Sequence, residues 1–246
     1  QPLEASAYDQ FLRRRPDDAQ QDERLLIVKV DSPSGEWLRE QMINGRYDPG
    51  IGTIPDNALA EAIEVLTIHE ARLIGLDFFR DFPPDARLQQ QLATTDNLLG
   101  ICQSASQQVE AIPEISNELA NAQIGFAYFL FDGGAVIRRQ PLTQWSAAAS
   151  RCDSEESFTL QLAIAYLAAE NIDYQNTGDE NSLGNISLGN VNIPDLYGDG
   201  TAYSTQTFWQ DWSSLDDYQT LINYRTFKSS DDAPATTKLI NFAEQV

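Results

Sequence analysis

Residue types that commonly carry chemistry are scarce in this chain. Its 246 residues include one histidine, one methionine and two cysteines. A tetrahedral zinc site takes about four ligands, so His69 with Cys102 and Cys152 falls short, and no Cys-x-x-Cys occurs. Basic charge is scarce too: 16 Lys+Arg stand against 37 Asp+Glu, a formal −21 at pH 7. Nucleic acid and anionic headgroups are held by Lys and Arg neutralising phosphate, and neither is expected as a partner. Acidity by itself reads as a solvated surface and identifies no cation. Long hydrophobic runs are missing, since no stretch reaches the ~18–20 apolar residues that span a bilayer. The glycines form neither a phosphate loop nor a dinucleotide fingerprint, and there is no Gly-x-Ser-x-Gly elbow. No cofactor and no metal is expected.

What is present is an α/β pattern. Tyr8, Phe11 and Leu12 follow helical spacing up to Arg13-Arg14-Arg15-Pro16, and a polar stretch follows. Residues 1–24 therefore read as a lead-in helix and linker, and 25–246 as a single domain. Leu25–Val30 predicts a buried strand. Ser32–Gly35 reads as a turn before a short helix at Trp37–Met42. Tyr47–Pro55, rich in Gly and Pro, reads as loop. Asp56 is placed as the N-cap of a helix with Leu59, Ala62, Ile63 and Leu66 on one face. That helix runs into a second strand, Arg72–Phe78, and strand–helix–strand predicts a right-handed parallel βαβ unit. A helix at Arg87–Leu92 and a strand at Leu98–Cys102 continue the logic.

The second half changes character. Ile124–Phe131 and Ala135–Leu142 flank Asp132-Gly133-Gly134 as a hairpin. Ser157 caps an apolar helix, FTLQLAIAYLAA, expected to be buried on most sides. Ile186–Leu188 and Val191–Ile193 form a second hairpin, and Leu221–Arg225 one more strand. The fold class is α/β: a mixed sheet, with a parallel βαβ half and antiparallel hairpins, covered by helices.

Two groups of residues are candidates for a site. Asp31 and Asp77 end the first two strands, where open α/β sheets place their crevices. One reading is an aspartate-based, metal-dependent phosphohydrolase, but that chemistry wants a second aspartate two residues on, where Pro33 stands. The other reading is turn capping by side-chain to backbone hydrogen bonds. Asp132, Arg138 and Arg139 form the second group. A guanidinium fork suits a carboxylate or phosphate and equally an internal salt bridge. In a regular strand Arg138 and Arg139 face opposite ways, so only one reaches a given pocket. His69 ends its helix as a structural histidine or a general base. Asp195–Thr201 lacks the alternating acids and closing glutamate of a calcium loop and is read as a turn. Asn185-Ile186-Ser187 is a glycosylation sequon only in a glycosylating source. Cys102 and Cys152 fit either a disulfide in an oxidising compartment or two buried thiols.

The ordered set LLIVKVD, IPDNALAEAIEVLTIHEARLIGLDFF, LLGIC, IGFAYFLFDGGAVIRRQPL, SFTLQLAIAYLA and LINYR resembles the CHASE2 family. That family comprises extracytoplasmic sensory domains of bacterial transmembrane receptors, frequent in cyanobacteria. The resemblance runs from Leu25 to Arg225. Asp77 and Phe79 match the aspartate and aromatic that end the second strand, and Arg138 and Arg139 match the paired arginines after the turn. The turn departs from Asp-x-Asp-Gly by lacking its second acid. The resemblance implies a Cys102–Cys152 disulfide and no defined ligand; Asp31, Asp77, Asp132, Arg138 and Arg139 stay the candidate ligand-binding residues from the reading above, and no residue is expected to be catalytic. The resemblance also implies a periplasmic sensor with flanking membrane spans, a homodimeric parent, and a cyclase, kinase or other output domain. The stimulus, small molecule or protein, stays open. The family pattern continues past LINYR into a further strand, which the residue pattern here does not show, so the domain reads as shortened at its C-terminal end. An extracytoplasmic scaffold that binds no ligand is the remaining reading.

Overall fold

Strands and helices form where hydropathy periodicity and local capping agree. A computed structural model of the chain describes residues 2–14, 22–50, 54–80, 82–103, 123–132, 136–144, 152, 154–178, 185–193, 218–222 and 237–241. These fall into two compact units, one of residues 1–70, 84–91 and 223–246, the other of 71–83 and 92–222.

The first unit carries helix α1 (Pro2–Arg14), strand β1 (Asp22–Lys29), helices α2 (Ser32–Ile43) and α3 (Asp56–Ile68), and the last strand, β11 (Thr237–Asn241). Helix α2 begins earlier than its pattern suggested. Asp31 is its N-cap, accepting from the Ser34 N–H at 3.1 Å, and Pro33 fits the first turn, where no amide bond is lost. The cap of α3 also differs from expectation. Pro55 holds the N-cap position, Asp56 is the first helical residue, and its carboxylate accepts from the Asp85 N–H at 2.6 Å. Leu38, Tyr47, Ala58 and Ala62 form the core here, with Val28, Val30, Trp37, Met42 and Ile54 packed on it. Tyr47 is fixed at both ends. Its ring meets Trp37 edge-on at 6.1 Å, and its hydroxyl donates to Glu61 at 2.9 Å. Burial and that carboxylate push its hydroxyl up to about 12.

Strand β1 pairs in parallel with β11, Leu26 opposite Lys238 and Val28 opposite Ile240. This revises two expectations. The parallel partner of β1 is the terminal strand and not the one that follows α3, and a strand does exist beyond Arg225.

The second unit holds three sheets among the described residues. Strands β2 (Ile74–Gly75), β3 (Leu98–Cys102) and β4 (Ile124–Phe126) form a parallel one; helix α4 (Ala86–Thr94) comes between β2 and β3 in sequence, with its residues 86–91 counted in the first unit. β2 is far shorter than the Arg72–Phe78 run predicted, ending its ladder at the Leu76 N–H bonded to Leu99 O at 2.8 Å. The run Ile124–Phe131 divides: its start is β4, and its end is β5 (Leu130–Asp132), antiparallel to β6 (Val136–Thr143). The glycine turn between β5 and β6 lies outside the described residues, as does the Asp195–Thr201 turn. On the other edge of β6 lies β10 (Tyr218–Leu221), three residues earlier than its predicted start. Helix α5 (Phe158–Ala168) is capped by Ser157, whose hydroxyl accepts from Leu160 N–H at 3.3 Å. Only Leu160 along α5 is fully buried, so the helix is less enclosed than its apolar sequence implied. β7 (Tyr174–Asn176), β8 (Ile186–Leu188) and β9 (Val191–Ile193) make a third sheet, turning at Gly189 with φ +57°. Leu142, Leu160, Ile186 and Tyr218 are its core partners from three elements and this sheet.

Candidate functional site

β6 brings the arginine pair together. Both Arg138 and Arg139 are buried, at 7% and 6% exposure. Strict strand alternation forbids neighbours from sharing one side, but β6 is not regular here. Leu130 opposes Arg139 while Phe131 opposes Ile137, so Arg138 is an extra residue, a β-bulge. A bulge re-aims a side chain and breaks the period of two, which removes the ground for expecting opposite faces. The Arg139 guanidinium donates to Gln219 Oε1 on β10 at 2.9 Å, within the interior. Arg139 is thus part of the fabric joining β6 to β10. Arg80, also buried, lies over the Phe82 ring with its guanidinium carbon 4.0 Å from the centroid.

Beside β6 runs the segment Ser154–Ser157, of which the sequence pattern singled out only the Ser157 cap. The Ser154 hydroxyl donates to Ile124 O at 2.7 Å, and Phe126 N–H donates to Glu156 O at 3.1 Å. On its other side, Gln144 N–H donates to Glu155 O and Ser157 N–H to Leu142 O, each at 2.8 Å. Four residues therefore bond both to β4 of the parallel sheet and to β6 of the antiparallel one. The Cys102–Cys152 disulfide, with Cα atoms 5.5 Å apart, ties the start of this segment to the end of β3. Gly125 makes the approach possible. A Cβ there would lie 2.9 Å from the Ser157 carbonyl carbon and closer still to Phe158 N and Cα.

Glu156 is the titratable group of the bridge. Burial, with help from neighbouring Glu155, raises its pKa above the ordinary carboxylate value. Tyr174 donates to its Oε1 at 3.4 Å and Gln161 to its Oε2 at 3.3 Å. Burial and the Glu156 charge raise Tyr174 in turn. The acidic doublet Glu155-Glu156 before the Ser157 cap was visible in the sequence; its enclosure by β6, α5 and β7 was not.

The two strand-end aspartates are described separately. Asp31 belongs to the first unit and Asp77 to the second. Asp31 is committed to Ser34 and to Lys29 Nζ at 2.9 Å. The Lys29 partnership and the Ser34 N–H hold its carboxyl down at about 2. Asp77 is exposed, with no hydrogen bond or ion pair among the described residues. Asp132 ends β5, and its side chain lies outside what is described. His69 is the exposed C-cap of α3. Among the described residues no group of His, Cys, Asp or Glu is arranged to hold a metal, and no helix is long and apolar enough to cross a membrane.

Comparison with known proteins gives one result. The sequence profile of the CHASE2 domain matches residues 1–245. No curated protein and no solved structure matches.

Proposed function

The chain belongs to the CHASE2 family of extracellular sensory domains, and from that premise we propose that it is the stimulus-binding part of a bacterial transmembrane receptor. In this reading the domain lies in the periplasm between flanking membrane spans and passes its state to a cytoplasmic output domain. The observation that carries the reading is the profile match over residues 1–245. The Cys102–Cys152 bond supports it, because disulfides persist in oxidising compartments.

The domain's own task is then differential binding. A stimulus shifts two signalling arrangements only by the difference in its affinity for them. Unit two offers a frame suited to two arrangements, since one short segment couples a parallel to an antiparallel sheet. Arg139 serves that frame through Gln219, and Arg138 lies buried beside Arg139; Asp31 caps α2 in the first unit. Asp77, exposed and uncommitted among the described residues, is the first candidate to touch a stimulus. The receptor is read as a homodimer, the simplest assembly for passing a change through membrane helices.

Protease accessibility of the parent receptor in intact spheroplasts tests the reading. External protease is expected to digest this segment while cytoplasmic markers survive. Protection until lysis would sink it.

A further inference from the structure

Glu156 lies on the segment that joins two sheets of the second unit, and no cation holds it charged. Its carbonyl accepts from the Phe126 N–H of β4 at 3.1 Å, and Thr143 of β6 is its antiparallel bridge partner. Its carboxyl is shared between α5 and β7. The Gln161 amide donates to Oε2 at 3.3 Å and the Tyr174 hydroxyl to Oε1 at 3.4 Å. Bonds to an ionised carboxylate are ordinarily drawn in to about 2.7–2.9 Å, so neither donor is clamped on a charge.

The groups around it give an ionised Glu156 no counter-charge. Glu155, its exposed neighbour in the chain, repels a second negative charge. Helix α5 has no charged residue and offers Gln161, and β7 offers Tyr174. From β4 comes the Phe126 N–H. From β6 come Thr143 and Gln144, the latter with its side chain bonded to Ser154 O at 3.0 Å. Of the β6 cations, Arg139 is bonded to Gln219, and neither it nor Arg138 acts on Glu156. No Lys or Arg is bonded to Glu156 among the described residues. Both of its partners can also reverse. A hydroxyl donates or accepts, and an amide offers its oxygen by turning over, whereas Lys and Arg only donate and would fix the charged form. A protonated Glu156 therefore finds an acceptor where an ionised one finds a donor.

We propose that Glu156 is a proton-operated latch between the two sheets. Protonated, it stays between Gln161 and Tyr174 and keeps residues 154–157 bonded to β4 and β6. Ionised, it gives its proton to solvent, turns out to water and releases the segment. Release reaches both sheets because the links are adjacent: Phe126 N–H to Glu156 O, Gln144 N–H to Glu155 O and Ser157 N–H to Leu142 O. A place just ahead of the α5 N-cap favours an anion. Burial and Glu155 outweigh this, and the carboxyl titrates above its ordinary value. The inference deepens the sensor reading by naming a regulator of its two arrangements, and only the signalling role of the latch rests on that reading.

Amide hydrogen exchange and carboxyl NMR on the purified chain, with its native disulfide, test this. Protection of the Phe126, Gln144 and Ser157 amides, corrected for intrinsic rate, is expected to fall as pH rises through the Glu156 midpoint. The fall is about tenfold for each pH unit by which that midpoint exceeds the value in the open segment. The Leu59 amide, bonded to Pro55 O in the first unit, is expected to keep its protection. Glu156→Gln should hold the acid level of protection at every pH. Tyr174→Phe, which removes a donor to the ion, should move the midpoint up, and Glu155→Gln, which removes a repelling charge, should move it down. A midpoint at or below that of an ordinary glutamate overturns the inference. So does protection that ignores the midpoint, a fall that persists in Glu156→Gln, or variant midpoints that stay put or move the other way. None of these results touches the topology measured in spheroplasts, so the latch and the receptor reading fail separately.

Discussion

Cys152 is covalently bound to Cys102, and two residues later Ser154 donates a hydrogen bond to Ile124 on the next strand of the same sheet. Covalent and polar links thus hold one segment against adjacent strands β3 and β4. The cross-link closes a loop over a sequence separation of 50. A chain-entropy estimate for a loop of that size is about 4 kcal/mol. Reduction, or the Cys102→Ser/Cys152→Ser variant, is expected to lower Tm by roughly 10 °C. Differential scanning calorimetry with and without reductant checks this. Thiols that alkylate freely in the native, unreduced protein would remove the bond from the account.

Gly125 and Gly35 make an opposed pair. An alanine at Gly125 drives its Cβ into the Ser157–Phe158 backbone, which belongs to the cap of α5 and cannot swing away. Overpacking of this kind costs about 1–3 kcal/mol or more. At Gly35, inside α2, nothing lies within 4 Å of an added Cβ, and Gly→Ala there favours the helix by up to about 1 kcal/mol. Urea denaturation is expected to move the midpoint down for Gly125→Ala and up for Gly35→Ala. A Gly125→Ala midpoint that stays or rises would refute the close approach at β4.

The elements with strong local signals were legible. Helix α5 announces itself through Ser157 and an unbroken apolar run, and α3 through its amphipathic face. The pairing of elements was not. The run Ile124–Phe131 looks like one strand, yet Phe126 N–H goes to Glu156 O and Ala127 N–H to Cys102 O before the chain joins β6 at Leu130. Nothing within those eight letters marks the change of sheet, because partners distant in sequence decide it. The same holds for β1, whose parallel partner stands at the far end of the chain. Among the site residues, Asp31 as a cap was one of two readings open from sequence. The burial of Arg138 beside Arg139 depends on a bulge that only the register reveals. Glu156 was missed because its chemistry comes from enclosure, and a doublet of acids in an acidic chain carries no such signal.

Arg139 and Gln219 are expected to be coupled. Each satisfies the other in the interior, and removing one leaves a buried polar group without that partner, at a cost of about 1–3 kcal/mol. Arg139→Ala and Gln219→Ala should therefore each destabilise, and the double variant should lose less than their sum. Arg139→Lys is not expected to rescue, since an ammonium does not reproduce the planar fork. Strict additivity in thermal unfolding would show that the modest contact across β6 and β10 does not matter to stability.

Stability against pH should report Asp31 and Glu156 with opposite signs. Asp31 has a folded pKa of about 2, below its ordinary 3.8. Its contribution is full above that ordinary value and is lost as pH falls through about 2. Glu156 has a raised folded pKa, chiefly from burial. The folded state favours its protonated form, so this advantage is present in acid and disappears as pH rises through the folded pKa, leaving a buried charge at neutrality. Glu156→Gln, neutral at every pH, is accordingly expected to melt higher than wild type at pH 7, with the gap closing as pH falls into the carboxylate range. Asp31→Ala is expected to melt lower than wild type near neutrality and to converge on it in strong acid, while Asp31→Asn, which keeps the α2 cap but not the charge, should fall between them. Melting curves for the three variants across that range decide it: a Glu156→Gln gap that widens toward acid would mean the carboxylate is stabilised by its Tyr174 and Gln161 donors more than burial penalises it.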